Sequence, residues 1–204
     1  MKKIICSLLL GTGVIAISSC GDGNNSTTTT KDSTTTNLNR MDTSAGGNTM
    51  GRDSSNTKSD GMFAIDAAEG GMMEVQFGKL AQTKSMNSEI KDLGKMMEKD
   101  HSKAGDELKG VATKKNISVP TALSDKHQRD YEDLSKKSGA DFDKAYTDMM
   151  VNDHKEDIDK FQHEADKGND PDLKSWANGK LPTLHHHLEM AQMCYDNVRK
   201  NNKK

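Results

Sequence analysis

Cysteine, aromatic side chains and long apolar runs are all scarce in this chain. Three cysteines stand in 204 residues, at Cys6, Cys20 and Cys194, too few for the disulfide framework of a small secreted scaffold. Aromatic residues make up 4% of the sequence, so aliphatic and thioether side chains must fill the core, and 13 methionines are there to do it. Neither sign of charge dominates: 29 Lys and Arg face 31 Asp and Glu, for a net charge of −2. No basic patch offers a surface to nucleic acid, and that class of partner is excluded. The one apolar run, Ile4 to Ile17, is too short for an ordinary spanning helix, which needs about 20 apolar residues.

That run instead has the form of an export signal. Lys2 and Lys3 precede it as a positive n-region. It ends in Ile17-Ser18-Ser19-Cys20, which resembles a bacterial lipobox. The resemblance implies cleavage after residue 19 and lipidation of Cys20, and with them a cell-envelope localisation: a membrane partner through the lipid anchor, at the outer membrane, with the folded part in the periplasm. Each buried acyl methylene contributes about 0.8 kcal/mol to such anchoring. Residues 20–59 are rich in Gly, Asn, Ser, Thr and Asp and bury too little surface to offset the entropy of ordering. They are expected to form a flexible tether with an r.m.s. reach of roughly 35 Å. Residues 60–200 form the folded domain, expected to be monomeric.

From Asp60 onward apolar residues recur at steps of three and four, and nothing alternates like a strand. One stripe runs Phe63, Ala67, Gly70, Glu74, Phe77, Ala81. Asn87 caps a second: Ile90, Leu93, Met97, His101, Ala104, Leu108, Val111. After a break at Asn116 to Pro120, Ser124 caps a short polar helix that ends near Ser138-Gly139. The third stripe is Phe142, Tyr146, Met150, His154, Ile158, Phe161, Ala165. Asp170-Pro171 opens the fourth, Leu184, His187, Ala191, Cys194, Val198, with a kink expected after Gly179 because Pro182 lacks a backbone donor. Long helices over about 63–85, 88–114, 140–167 and 171–199 predict an all-α, antiparallel four-helix bundle, with one short helix between the second and third long ones.

Each long stripe is interrupted by one ionisable residue: Glu74, His101, His154 and His187. All four fall near helix midpoints, so an antiparallel bundle brings them to one level. Buried charges demand partners, and imidazole nitrogens with a carboxylate suit a divalent transition metal such as Fe, Zn, Mn or Cu. A closed Glu–His hydrogen-bond network is the other arrangement that satisfies them. Gly70, Gly71 and Gly78 flank Glu74 and leave room for an ion, a water or a close helix. The repeat M-M-x-x-D-H, at Met96–His101 and Met149–His154, places Asp100 and Asp153 beside the layer as candidates for orienting the ligands. His163 is rotated away and should face solvent, His185 and His186 should lie at the surface or edge, with the His185–His187 run as a second, weaker candidate metal site, and His127 has no partner visible in the sequence. No Gly-rich phosphate loop, nucleophile elbow or activated cysteine accompanies the layer, so an enzyme is not the favoured reading.

Several segments together resemble the bacterial envelope family called domain of unknown function 4142 (DUF4142). They are Gly71–Glu74 with Gly78–Ala81, Met97–His101, Gly139–Asp143 with Tyr146, Asp153-His154, and Leu181-Pro182 with His187-Leu188. The resemblance covers about residues 61–196 and implies a ferritin-like bundle with His187 at the family position. It implies no activity. Carboxylates are too few for a di-iron site of two Glu plus two Glu-x-x-His copies, because Val151 and Leu184 stand where the latter need Glu. Methionines on all four helices are also similar to another envelope helical family, domain of unknown function 305, whose members include copper-binding proteins. This leaves Cu(I) handling as a further alternative, because thioethers are soft ligands.

Overall fold

The computed structural model describes residues 50–201, with side chains from residue 59 to 200. The expected signal at 1–19, Cys20, and the tether as far as residue 49 lie outside the described residues. Five helices follow one another: α1 (Met50–Lys84), α2 (Ser88–Lys114), α3 (Asp125–Ser135), α4 (Gly139–Lys167) and α5 (Pro171–Asn201). No strand occurs among the described residues, and none of these helices is long and apolar enough to cross a membrane.

The helix starts follow the capping chemistry. Asn87 accepts from the Glu89 amide at 2.9 Å, and Ser124 from the His127 amide at 3.4 Å. Asp170 Oδ1 accepts from the amides of Asp172 and Leu173, with Pro171 as first helical residue. Gly139 takes φ +53°, the left-handed region that glycine occupies without penalty, where the chain turns into α4. α5 continues through Pro182. One boundary differs from expectation: α1 begins at Met50, inside the segment read as tether. Met50 to Ser59 carry no apolar stripe, so periodicity gives no signal there. A helix already formed from Asp60 onward extends backward at the cost of one residue per added hydrogen bond.

α1 packs on α2, α2 on α5, α5 on α4, and α4 on α1. At one end, Asp60 of α1 accepts from the Asn169 and Asp170 amides at 3.0 and 2.7 Å, and Lys115 pairs with Asp170 and Asp172. At the other, Asn197 meets Glu89 and Arg199 meets Asp148. These contacts make α1 and α5 parallel to each other and antiparallel to α2 and α4. The link through α3 therefore carries the chain from one end of the bundle to the other, a single long crossover of the kind ferritin-like bundles also use. α3 lies along α1, with His127 Nδ1 3.0 Å from Glu69 and Tyr131 against Phe77. His127 thus has a partner, one that helix periodicity could not supply because the two residues belong to different elements.

The core is divided. Phe77, Ile90, Leu93, Met97, Phe142, Tyr146, Met150 and Ala191 belong to one apolar cluster. Phe161, Ala177, Leu181 and Leu184 form a second with Phe63 and Trp176 against it, and Leu108 and Leu173 lie in a third. Between them sits the level of Glu74, His101, His154 and His187. α1 and α2 cross closest at Gly78 and Gly94, where a Cβ on either would come within 2.5 Å of the other's carbonyl oxygen.

Gly78→Ala should therefore destabilise the protein by about 1–3 kcal/mol, as overpacking does. Gly110→Ala, with nothing within 4 Å of its Cβ, should stabilise it by about 0.5–1 kcal/mol. Denaturant unfolding of both variants measures the contrast. A second expectation concerns Glu164. Burial first, then the Asp60 and Asp170 carboxylates, push its carboxyl up to about 7 from an ordinary 4.5. The folded state then holds a proton that the unfolded chain has released, so stability present at low pH is lost as pH rises from about 4.5 to about 7. Glu164→Gln should flatten that part of the melting-temperature profile.

Candidate metal centre

The four stripe-interrupting residues do meet. Glu74, His154 and His187 are fully buried, and His101 nearly so. His101 Nε2 lies 3.2 Å from His187 Nδ1, and His154 Nε2 lies 3.3 Å from the same atom. The donor atoms of the three imidazoles all fall within 4.8 Å of one another. A tetrahedral ion with metal–nitrogen bonds of about 2.0–2.1 Å has ligand atoms roughly 3.3 Å apart. The two spacings to His187 Nδ1 match such an edge.

Hydrogen-bond partners on the outside of the layer decide which nitrogens face inward. His154 Nδ1 donates to the Met150 carbonyl oxygen at 2.9 Å, one turn back along α4, which leaves the lone pair on Nε2. His187 Nε2 donates to Asp100 Oδ2 at 3.1 Å, which leaves the lone pair on Nδ1. His101 Nδ1 lies 2.6 Å from Glu74 Oε2, close but without hydrogen-bond alignment, since both Glu74 oxygens lack a formal partner. A carbonyl or carboxylate behind each ligating imidazole is the usual arrangement in metal sites.

Burial is the largest influence on all three rings. It lowers His101 and His187 to about 4 and His154 to about 3. They are neutral at physiological pH, the form that ligates. Proton counting shows what is missing. With His154 and His187 held as inward acceptors, His101 can send its single N–H either to His187 or to Glu74. A protonated Glu74 can serve either His101 or His154, the latter 3.4 Å from Oε1. Every such assignment leaves at least one ring lone pair of the layer without a donor. Filling all of them takes a cationic His101 beside a protonated Glu74, which is a buried positive charge. The group could hold a cation, and burial opposes putting that charge on an imidazole.

Glu74 does not stand as an equal fourth member of the imidazole group. It belongs to a second group, with Asp153 and His154. Burial raises its carboxyl first and Asp157 adds to this, while the neighbouring Asp153 works the other way. Asp153 is raised in turn by burial and by Glu74. The two aspartates of the repeat thus act across helices. Asp100 of α2 serves His187 of α5, not its neighbour His101, and Asp153 of α4 lies against Glu74 of α1. This is an approximate two-fold relation that exchanges α2 with α4 and α1 with α5.

Two participants escaped the sequence reading. Asp157 is buried and bears on Glu74 and His101; its place three residues after His154 and four after Asp153 puts it on the same helix surface. Tyr146, read as a stripe residue, has a buried hydroxyl with no partner, and burial followed by Glu74 raises its pKa. His163, His185 and His186 are exposed, as expected. Burial pushes the Cys194 thiol up to about 11, which disfavours the thiolate.

The family model for DUF4142, a domain of unknown function, matches residues 46–194. The chain belongs to the DUF4142 family. The matched span takes in the start of α1 at Met50, ahead of its apolar stripe, and the whole central layer. No curated protein and no solved structure matches this DUF4142 chain.

If the layer couples its members, His101→Ala/His187→Ala should depart from additivity by more than about 0.5 kcal/mol in unfolding free energy. His163→Ala, on the surface, should change stability by less than about 0.5 kcal/mol. Strict additivity of the first pair would mean that the rings do not meet.

Proposed function

We propose that this DUF4142 domain binds one divalent transition-metal ion between His101 Nε2, His154 Nε2 and His187 Nδ1. Glu74 orients His101 and stands near the fourth side of the site. The observation that carries the reading is the outward anchoring of the rings: two imidazoles donate to fixed acceptors, and three inward nitrogens converge within 4.8 Å of one another. Three nitrogens with a nearby carboxylate suit Fe, Zn, Mn or Cu. Reliance on thioethers for copper has less support, because Met73, Met97 and Met150 pack with Phe77, Leu93 and Phe142 in the apolar cluster beside the layer, as core filler does.

Elemental analysis of protein purified without a histidine tag should find close to one such ion per chain. His187→Ala should abolish binding. Asp100→Ala, which removes only the acceptor behind His187, should weaken it about 10–100-fold. Metal-free protein whose melting temperature ignores all four ions would sink the reading and favour a structural or protein-interaction module.

The domain is proposed to work as a lipoprotein of the cell envelope, held by acyl chains on Cys20 at the outer membrane and facing the periplasm. Radiolabelled palmitate should enter the wild-type protein, and Cys20→Ser should lose the label and move from the membrane to the soluble fraction. Label retained in the variant would refute the anchor.

A further inference from the structure

A cavity of about 150 Å³ opens directly onto the centre. Glu74, His101 and His187 line it, so it reaches the layer from three of the four long helices. His154 does not line it. The hollow exists because small residues occupy its wall: Gly71 on α1, and Ala104 and Gly105 on α2, one turn beyond His101. A Cβ at Gly71 or Gly105 would meet nothing within 4 Å.

The remaining wall has two characters. Leu108, Phe161 and Leu184 make one side apolar, while Asp100 and Asp157 add carboxylates near the layer. Lys180 and Lys103 also border the space, but both face Glu107, so the wall has no free excess of positive charge. Trp176 lines the cavity as well, and its indole N–H is buried without a protein acceptor. A buried donor of this kind calls for a partner, and here no side chain supplies one.

Structural metal sites are closed by four protein ligands, whereas sites that react or exchange keep three and leave a position open. We infer that the ion held by His101, His154 and His187 keeps an open coordination position facing this cavity, and that the position takes a small uncharged or monoanionic molecule with an oxygen or nitrogen donor atom. This rests on the proposed metal centre and adds what the centre is open to. The volume sets the size. A cavity of about 150 Å³ accommodates a molecule as large as benzene, so the ligand has at most about six heavy atoms. Without it, a wall this polar holds roughly five waters, at about 30 Å³ each. The apolar side favours a small molecule with one ligating end over a fully hydrated ion.

Cobalt(II)-loaded full-length protein with azide as the probe tests this. The visible d–d bands report the ion's coordination. They should shift and saturate on titration with azide. Ala104→Leu and Gly105→Leu both build side chains into the cavity. Whichever folds should keep the azide-free cobalt spectrum while weakening azide at least tenfold. Cobalt bands that ignore azide would overturn the open position and leave the metal centre standing. An azide shift that neither filled variant weakens would overturn the role of the cavity. Absence of cobalt bands altogether would overturn the metal centre, and this inference with it.

Discussion

Lone pairs that converge inside an apolar bundle repel one another unless a proton or another positive charge lies between them. The level of Glu74, His101, His154 and His187 puts this constraint at the middle of the domain. Much else in the structure holds that level in place. Apolar clusters pack beside it. The Asp60 carboxylate, capping the start of α5 from α1, sets the relative height of two of the four contributing helices. At Gly78 and Gly94 the backbones of α1 and α2 touch, one turn from Glu74 and two turns from His101, so the register between those helices admits little slip.

The repeated M-M-x-x-D-H acquires its meaning from the ring of helices. An aspartate about 100° around the helix from its histidine cannot reach that histidine's ligating face, but it does point at the next helix. In the ring α1–α2–α5–α4, the next helix bears His187 in one copy and Glu74 in the other. One motif therefore supplies a ligand to the centre and an outer partner to a neighbour's side chain, and the pattern closes because α2 and α4 are diagonal and parallel. The symmetry is imperfect in chemistry. One outer position finds an imidazole, to which Asp100 is an acceptor. The other finds a carboxylate, against which Asp153 must share a proton.

That imperfection leaves the side of the layer near Glu74 crowded with oxygen, from Glu74, Asp153 and Asp157. The cavity that Glu74 and Asp157 also line extends toward Gly71, Ala104 and Gly105. A His₃ set with carboxylates behind it and a cavity in front differs from a structural cross-link, which would gain nothing from the void. Each small residue that lines the space gives up contacts that a larger side chain would have made.

Helix number, most helix ends and the level of the ionisable residues were all legible in the chain. They depend on local chemistry: caps, glycine and proline positions, and apolar recurrence at 3.6 residues. The start of α1 was not legible, because a polar extension of an existing helix carries no stripe. The Glu69–His127 contact, the burial of Asp157 and the cross-helix service of Asp100 and Asp153 were hidden for another reason. Periodicity tells which face of a helix is buried, but not which side chain of another helix lies opposite. By itself the sequence determined that three imidazoles and a carboxylate must share the interior of a helical bundle. Only the tertiary structure decided which nitrogens turn inward, that Glu74 stands behind His101, and that one side of the layer is open. Those outcomes depend on the azimuth and spacing of packed helices, which are settled by contacts between segments far apart in the chain.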